Sequence, residues 1–403
     1  MATEARGDHE PGRFLIVTWD GGGNVHPALG LGRGLVLRGH SVRVMGQRIL
    51  QERIEGAGCS FRTFPPALEW DAAKGRSWED ESQEEYTRAL FAGMPVAQAV
   101  LAEAEREPVD VLLVDGFLRN ALSAAERTRL PTAALQHVRY RFVAEKPDPA
   151  AWGWDFDPVN ETRRRLGLRG ISRDGERLIV QLWRQCDRVI AVIPREFEDS
   201  SETLPPNIRY VGPVFEGDEE GTAPDLPWPP GHPDPLVAVA FSTTYMYHEA
   251  VVDRVLAALE GLPVRVLVTL GGGLEPHEVT PPPGVVVRRY LPHAMVLPHA
   301  ALVVTHGGMG TVMAAFAHGV PMVCIPQGRD QPGNAERVEA LGAGRTVAAD
   351  ASVEEMRAVV VDVLGSDVLR AGAGRMAEIV AGYGRGARAV TELESLLASA
   401  QTV

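Results

Sequence analysis

Short apolar runs alternate with helical patterns along most of this chain, and this alternation limits the possible folds more than any other feature. In the first half we predict strands at residues 14–19, 41–45, 109–114, 132–135, 189–193 and 209–211. In the second half we predict strands at residues 236–241, 264–269, 285–288, 301–305 and 322–325. Strands that alternate with helices build parallel sheets covered by helices on both faces. The sequence therefore predicts an α/β fold in both halves.

Residues 216–235 divide the two halves, because they are nearly all acids, prolines and glycines and cannot build a core. A chain of 403 residues also exceeds one ordinary core and indicates two domains. We predict two doubly wound parallel-sheet domains, residues 1–215 and 236–403, that face each other across a cleft, with residues 216–235 as the linker.

The chain opens with a βαβ pattern in which a glycine turn at residues 20–24 leads into a helix predicted at residues 27–38. Gly30, Gly32 and Gly34 lie inside this helix, where each costs about 1 kcal/mol relative to alanine. Close packing of the helix on the sheet would explain them.

Composition excludes several classes of function. The formal net charge of −13 argues against a nucleic-acid partner, because such proteins concentrate basic residues on one face. The tightest basic cluster, at residues 163–165, is expected on a solvated helix face. Cys59, Cys186 and Cys324 are too few and too far apart for a disulfide framework or a zinc site.

Residues 1–13 are polar where a secretory signal needs an apolar core, and no apolar run approaches the length of a membrane span. Together with the few cysteines, this predicts a cytoplasmic protein that is not integral to a membrane. A monomer and a homodimer both remain open.

The segment from His306 to Thr311 joins the end of a predicted strand to the start of a predicted helix through several glycines. Backbone N–H groups at such a start lack partners and the helix dipole is positive there, so a diphosphate is the expected ligand. Ser242 and Thr243 follow another strand and can donate to phosphate. Asp330 and Gln331 follow a third strand, at the same edge of the predicted sheet.

These residues resemble the nucleotide-sugar signature of the GT-B glycosyltransferases, above all the actinobacterial enzymes that transfer sugars from UDP or dTDP donors to natural products of the macrolide and antibiotic type. The resemblance implies a two-domain fold whose last helix, residues 387–400, packs back on the first domain. It implies small-molecule substrates, a nucleotide sugar as donor, and no metal or other cofactor. The donor site that it implies consists of Ser242, Thr243, Tyr290, Leu291, His306, Gly308, Gly310, Thr311, Asp330 and Gln331.

Position 314 departs from this pattern. Many relatives carry a glutamate there that binds the ribose hydroxyls, and this chain has Ala314. A carboxylate that accepts two hydroxyl groups contributes roughly 1–3 kcal/mol when buried. Its absence favours a dTDP donor, which lacks the 2′-hydroxyl, over a UDP donor.

The catalytic base also departs from the pattern. Inverting transfer needs a base for the acceptor proton and a positive group for the departing diphosphate. The resemblance implies a histidine after the first strand, at about Gly22, and an aspartate that Asp115 matches. The remaining candidates are Asp20, then Asp115, then His137, although Asp20 is explained equally well as a turn residue. His26 is better explained as a helix cap.

Aromatic residues in two irregular stretches, at about 61–76 and 140–157, suggest an apolar acceptor pocket or, equally, packing of loops onto the sheet. The pocket candidates are Trp70, Trp152, Trp154 and Phe156. We predict an inverting, metal-independent glycosyltransferase that moves a deoxysugar or glucose to a small, largely apolar natural product. An inactive nucleotide-binding partner or activator of another glycosyltransferase, a lipid glycosyltransferase and a sugar-nucleotide epimerase remain alternatives. A dehydrogenase is disfavoured because the first turn lacks the Gly-x-Gly-x-x-Gly spacing.

Overall fold

The structure is a computed structural model that describes residues 11–69, 83–144, 156–174, 176–199, 203–217, 226–229, 231–241, 249–271 and 274–400, with the backbone alone at 156, 399 and 400. The chain divides into two compact units. The first contains Met1–Gly217 and Tyr383–Val403, and the second contains Asp218–Gly382.

The first unit is built on a seven-stranded sheet in which every neighbouring pair of strands is parallel. Its strands are β1 Arg13–Val17, β2 Ser41–Gly46, β3 Ser60–Thr63, β4 Val111–Asp115, β5 Thr132–Gln136, β6 Arg188–Ala191 and β7 Ile208–Tyr210. They are ordered β3-β2-β1-β4-β5-β6-β7. The described helices of this unit are α1 Val25–Leu37, α2 Gln51–Gly56, α3 Glu84–Phe91, α4 Met94–Arg106, α5 Arg119–Thr128, α6 Tyr140–Ala144, α7 Phe156–Arg165, α8 Leu178–Arg184 and, from the end of the chain, α15 Ala387–Ala400.

The second unit is built on a six-stranded sheet that is also parallel throughout. Its strands are β8 Leu236–Ala240, β9 Arg265–Thr269, β10 Val286–Arg288, β11 Ala300–Thr305, β12 Met322–Cys324 and β13 Gly344–Thr346. They are ordered β10-β9-β8-β11-β12-β13. The described helices are α9 Glu249–Leu259, α10 His293–Val296, α11 Met309–Ala317, α12 Gln331–Ala340, α13 Val353–Gly365 and α14 Asp367–Gly382.

Apolar side chains fill both faces of the first sheet. Leu15 and Val17 of β1 belong to one buried cluster, whereas Phe14 and Ile16 belong to the cluster on the opposite face. Strands of parallel sheets are covered on both faces and therefore appear as continuous apolar runs. The predicted α/β fold with two doubly wound sheets is confirmed.

Two strands were not predicted, and both lie at sheet edges. In β3 no residue is fully buried, so its sequence has no apolar run, and β13 is only three residues long. The long helices α4 and α5 were also missed. No helix in the described part of the chain is both long enough and apolar enough to span a membrane.

Helix α15 packs against α1 within the first unit, and its apolar residues join the core. The three glycines of α1 were expected to pack on the sheet, but only Gly32 does so. A Cβ on Gly32 would lie 2.8 Å from Sγ of Cys59, on the sheet side, as expected. A Cβ on Gly30 would instead lie 2.2 Å from the carbonyl oxygen of Phe215, and one on Gly34 would lie 2.7 Å from Val390 of α15.

The basic cluster of α7 is not a uniformly solvated face. The side chain of Arg163 is 1% exposed, and its guanidinium donates to Glu126 over 2.7 Å. Buried arginines need such partners because an unpaired charge is costly away from water. The expectation of a solvated face was therefore wrong for Arg163.

Candidate functional site

Strand order reverses once in each sheet, between β1 and β4 in the first unit and between β8 and β11 in the second. Doubly wound sheets bind ligands beyond the carboxyl ends of the strands at these switch points. Most of the candidate site residues from the sequence follow the carboxyl ends of these strands or of the strands next to them.

In the second unit, the turn after β11 presents the start of helix α11. Gly308 precedes the helix with extended dihedral angles, φ −64° and ψ 142°. The first helical hydrogen bond runs from the amide of Val312 to the carbonyl of Gly308 at 3.0 Å. The amides of Met309, Gly310 and Thr311 therefore have no partner within the helix. The first turn of α11 contains no acidic residue and Gly308 supplies no side-chain cap, so this end can receive an anion.

His306 lies beside this turn and is 8% exposed. Its ring stacks on Phe241 at a centroid distance of 6.4 Å, and Nδ1 is 3.4 Å from Oγ1 of Thr305. A Cβ on Gly308 would lie 2.3 Å from Nε2 of His306. Glycine at 308 therefore allows the imidazole to lie against the backbone of the turn.

A buried asparagine connects the turn with Asp330 of the predicted donor site. Asn334 is fully buried, and its Nδ2 donates to the carbonyl oxygen of Gly307 at 3.0 Å and to Oδ2 of Asp330 at 2.8 Å. No role was predicted for Asn334 from the sequence. Its spacing of four residues from Asp330 could have identified it, because residues four apart are neighbours on a helix.

Asp330 and Gln331 differ in their surroundings. Asp330 is half-buried at the start of α12. Gln331 is 2% exposed, and its Oε1 accepts from the amide of Gln327 at 2.8 Å. The carboxylate is therefore the more accessible group of the pair, and the carboxamide oxygen braces the loop before α12.

The loop that carries Tyr290 and Leu291 of the predicted donor site leads into α10, which contacts the same turn. Nε2 of His293 lies 3.2 Å from Oγ1 of Thr311, which joins the start of α10 to the first turn of α11. Tyr290 is 56% exposed and Leu291 is half-buried. Ser242 and Thr243 lie outside the described residues.

In the first unit, Asp115 ends β4 with its side chain fully buried. Its Oδ1 accepts from the amide of Phe117 at 2.9 Å, and its Oδ2 accepts from Nδ2 of Asn24 at 2.9 Å. Nε2 of His137, which follows β5, lies 3.3 Å from the same Oδ2. The structure thus brings two of the three predicted catalytic residues, Asp115 and His137, together.

Asn24 is the residue after β1 that contacts Asp115. The glycine at which we placed the missing histidine, Gly22, lies two residues earlier and adopts φ 83°. Asn24 is 3% exposed; its Nδ2 also donates to the carbonyl of Trp19 at 2.9 Å, and its Oδ1 accepts from the amide of Gly21 at 3.1 Å. The contact joins residues 91 apart in the chain, so no local pattern could have identified Asn24.

Asp20 lies in a different group of side chains. Its amide donates to Oε1 of Gln47 at 2.9 Å, and Nε2 of Gln47 donates to the hydroxyl of Tyr86 at 3.1 Å. Burial raises the pKa of Asp20, and the charge of Arg53 partly opposes this rise. Burial also raises the pKa of Tyr86 to about 12, and the charge of Asp20 adds to that rise.

His26 pairs with the end of the first unit. Its Nδ1 lies 2.8 Å from Oε2 of Glu216, which also binds Arg53. Burial alone would raise the pKa of Glu216, but the hydrogen bonds from His26 and Arg53 lower it to about 2. His26 is therefore part of an ion-pair cluster within the first unit.

The predicted acceptor-pocket residues are not located by the structure. Trp70, Trp152 and Trp154 lie outside the described residues, and Phe156 is described by its backbone alone, at the start of α7. The aromatic acceptor pocket stays a prediction.

Comparison with known proteins gives consistent matches. Residues 253–396 match the erythromycin biosynthesis protein CIII-like C-terminal domain. The chain is 27% identical over 371 residues to 4′-demethylrebeccamycin synthase of Lentzea aerocolonigenes, covering 82% of this chain and 86% of that protein. It is 26% identical over 408 residues to demethyllactenocin mycarosyltransferase of Streptomyces fradiae, covering 94% and 85%. Among solved structures, the calicheamicin glycosyltransferase CalG4 superposes with a TM-score of 0.76 at 24% identity, covering 97% of this chain and 99% of that chain.

Proposed function

We propose that this chain, a glycosyltransferase of the GT-B fold with an EryCIII-like carboxy-terminal domain, transfers a sugar from a nucleoside diphosphate sugar to a small natural product. The relatives reported above are enzymes of antibiotic pathways by name. The acceptor class is carried over from them.

One observation carries the donor side of this proposal. Asn334 joins the turn before α11 to the carboxylate of Asp330 by two hydrogen bonds, and the imidazole of His306 lies against Gly308 in the same turn. A helix start binds phosphate oxygens, and it stabilises the negative charge that develops on the diphosphate as it leaves. Asp330 is then the group that accepts hydrogen bonds from the sugar hydroxyls.

We expect dTDP to be preferred to UDP. The position that carries a ribose-binding glutamate in many relatives is Ala314 here, and its side chain is 3% exposed within α11. Calorimetric dissociation constants for dTDP and UDP test this preference. A clear preference for UDP would contradict it.

The reaction is proposed to be inverting and metal-independent. The acceptor oxygen attacks the anomeric carbon once, from the face opposite the diphosphate, and the helix start takes the place that a metal ion has in other transferases. Transfer rates should be unchanged by EDTA, and the product should have the anomeric configuration opposite to that of the donor. A rate that EDTA abolishes and Mg²⁺ restores would refute metal independence.

An inactive partner that only binds nucleotide is the second candidate. It is favoured by one observation: the residue after β1 that contacts Asp115 is Asn24, and an amide cannot accept a proton as a base does. We therefore propose to incubate the purified chain with dTDP- and UDP-sugars and a panel of macrolide and aromatic aglycones, and to analyse products by mass spectrometry. Glycosylated product from the chain alone excludes the inactive partner. Tight nucleotide binding without transfer or donor hydrolysis would support it.

A further inference from the structure

We propose that His137 is the general base of the transfer, that Asp115 orients it, and that Asn24 is a positioning residue that holds Asp115. This assignment rests on the proposed function and deepens it. It replaces the order expected from the sequence, in which Asp20 came first.

Asp115 is unsuited to accept the proton itself. Its side chain has no exposed surface, so an acceptor hydroxyl cannot approach it without displacing protein atoms. Both carboxylate oxygens are also engaged, Oδ1 by the amide of Phe117 and Oδ2 by Asn24. A buried carboxylate with these partners is suited to orient a histidine, as in catalytic triads.

His137 has the accessibility that Asp115 lacks. Its side chain is 13% exposed, and its ring meets the edge of Phe117 at a centroid distance of 5.0 Å and an angle of 78°. Nε2 faces the carboxylate at 3.3 Å, a contact that can tighten when substrate binds. Neutral imidazole carries one proton. When that proton is on Nε2, it points towards the carboxylate of Asp115, and Nδ1 keeps the lone pair that can accept a proton.

Asn24 provides the second anchor on the same oxygen. Its Nδ2 donates to Oδ2 of Asp115, while its Oδ1 is occupied by the amide of Gly21. These two contacts fix the orientation of the carboxamide. Asn24 therefore holds the carboxylate in the position from which it faces Nε2 of His137.

The proposed transfer is a single displacement at the anomeric carbon. Nδ1 of His137 takes the proton of the acceptor hydroxyl, and the acceptor oxygen forms a bond to the anomeric carbon of the nucleotide sugar. The bond from that carbon to the diphosphate oxygen breaks, and its electron pair leaves with the nucleoside diphosphate. The imidazolium formed on His137 faces the negative charge of Asp115 and later returns its proton to solvent.

The test uses the full chain and the acceptor that the aglycone panel identifies. General-base removal costs about 10²–10⁴-fold, so His137→Ala and His137→Gln should lower kcat by at least 100-fold. The dissociation constant for dTDP should stay within twofold of wild type. Added imidazole should restore part of the kcat of His137→Ala but not that of His137→Gln, in which the side chain fills the space. Asp115→Asn should lower kcat by a similar factor, because an amide no longer selects the imidazole tautomer.

Asp20→Asn is the competing variant, and we expect it to keep kcat within tenfold. Transfer by wild type, together with a kcat for both His137 variants within threefold of it, would overturn the assignment while the proposed function stands. A loss in His137→Ala that imidazole does not restore would give His137 a packing role only and also overturn it. Absence of transfer by wild type with any donor and acceptor would instead refute the proposed function.

Discussion

Replacing Gly308 by alanine should move the imidazole of His306 without changing the stability of the fold. The dihedral angles at 308, φ −64° and ψ 142°, are allowed for alanine, so the backbone need not change. The added Cβ would lie 2.3 Å from Nε2 of His306, whereas ordinary carbon contacts begin near 3.4 Å. The end of the imidazole must therefore move by about 1 Å, and its stacking on Phe241 is lost.

A hydrogen bond to a charged group such as a phosphate contributes about 1.5–3 kcal/mol. We therefore expect Gly308→Ala to raise the dissociation constant for dTDP by 10- to 100-fold, which is about 1.4–2.7 kcal/mol. The melting temperature should change little, because a side-chain end can rotate away. Isothermal titration calorimetry with dTDP and a thermal unfolding curve measure the two quantities on the same sample.

Gly374→Ala is the matched control. Gly374 lies within α14, and a Cβ there would meet no described atom within 4 Å, so dTDP affinity should not change. Alanine also favours the helix by up to about 1 kcal/mol. If Gly308→Ala binds dTDP as tightly as the wild type and Gly374→Ala do, the diphosphate does not lie against His306 and the proposed donor site is wrong.

Three further predictions concern hydrogen bonds and packing. Asn334→Ala should destabilise the chain by about 1–3 kcal/mol in urea unfolding and raise KM for the nucleotide sugar; unchanged values of both would contradict its bridging role. Glu216→Gln should lower the free energy of unfolding at pH 7 by about 3 kcal/mol. Because the pKa of Glu216 in the folded protein is about 2, below the usual 4.5, the difference in free energy of unfolding between Glu216→Gln and wild type should become smaller as the pH falls from 4.5 towards 2. A difference that does not change with pH would refute the pairing with Arg53. Gly30→Ala should destabilise by about 1–3 kcal/mol, since its Cβ would lie 2.2 Å from the backbone oxygen of Phe215; wild-type stability in urea would contradict that packing.

The central strands could be predicted from the sequence because burial on both faces makes them continuous apolar runs. Strands β1, β4, β8 and β11 are of this kind, and each was predicted to within two residues at either end. The edge strands β3 and β13 could not be predicted in this way. Backbone pairing with a single neighbour defines them, and their side chains carry little periodic signal.

The proposed donor site was more predictable than the proposed catalytic site for a physical reason. A helix start suited to phosphate is local in sequence, so the glycines and His306 appear together. The proposed catalytic group consists of Asn24, Asp115 and His137, which follow three different strands, and its geometry depends on side-chain contacts across the sheet. The contact between Asn24 and Asp115 spans 91 residues of chain, and no local pattern specifies it.

The return of helix α15 to the first unit limits how this enzyme can be recombined with its relatives. Ala389, Val390, Leu393 and Leu396 fill one face of the amino-terminal core, so a fragment that stops at residue 217 would leave apolar surface uncovered. A chimaera that exchanges the first unit should therefore take both ends of the chain from one parent, with crossovers near residues 217 and 383. A single crossover in the connecting segment would join an amino-terminal core to a closing helix that was not shaped for it.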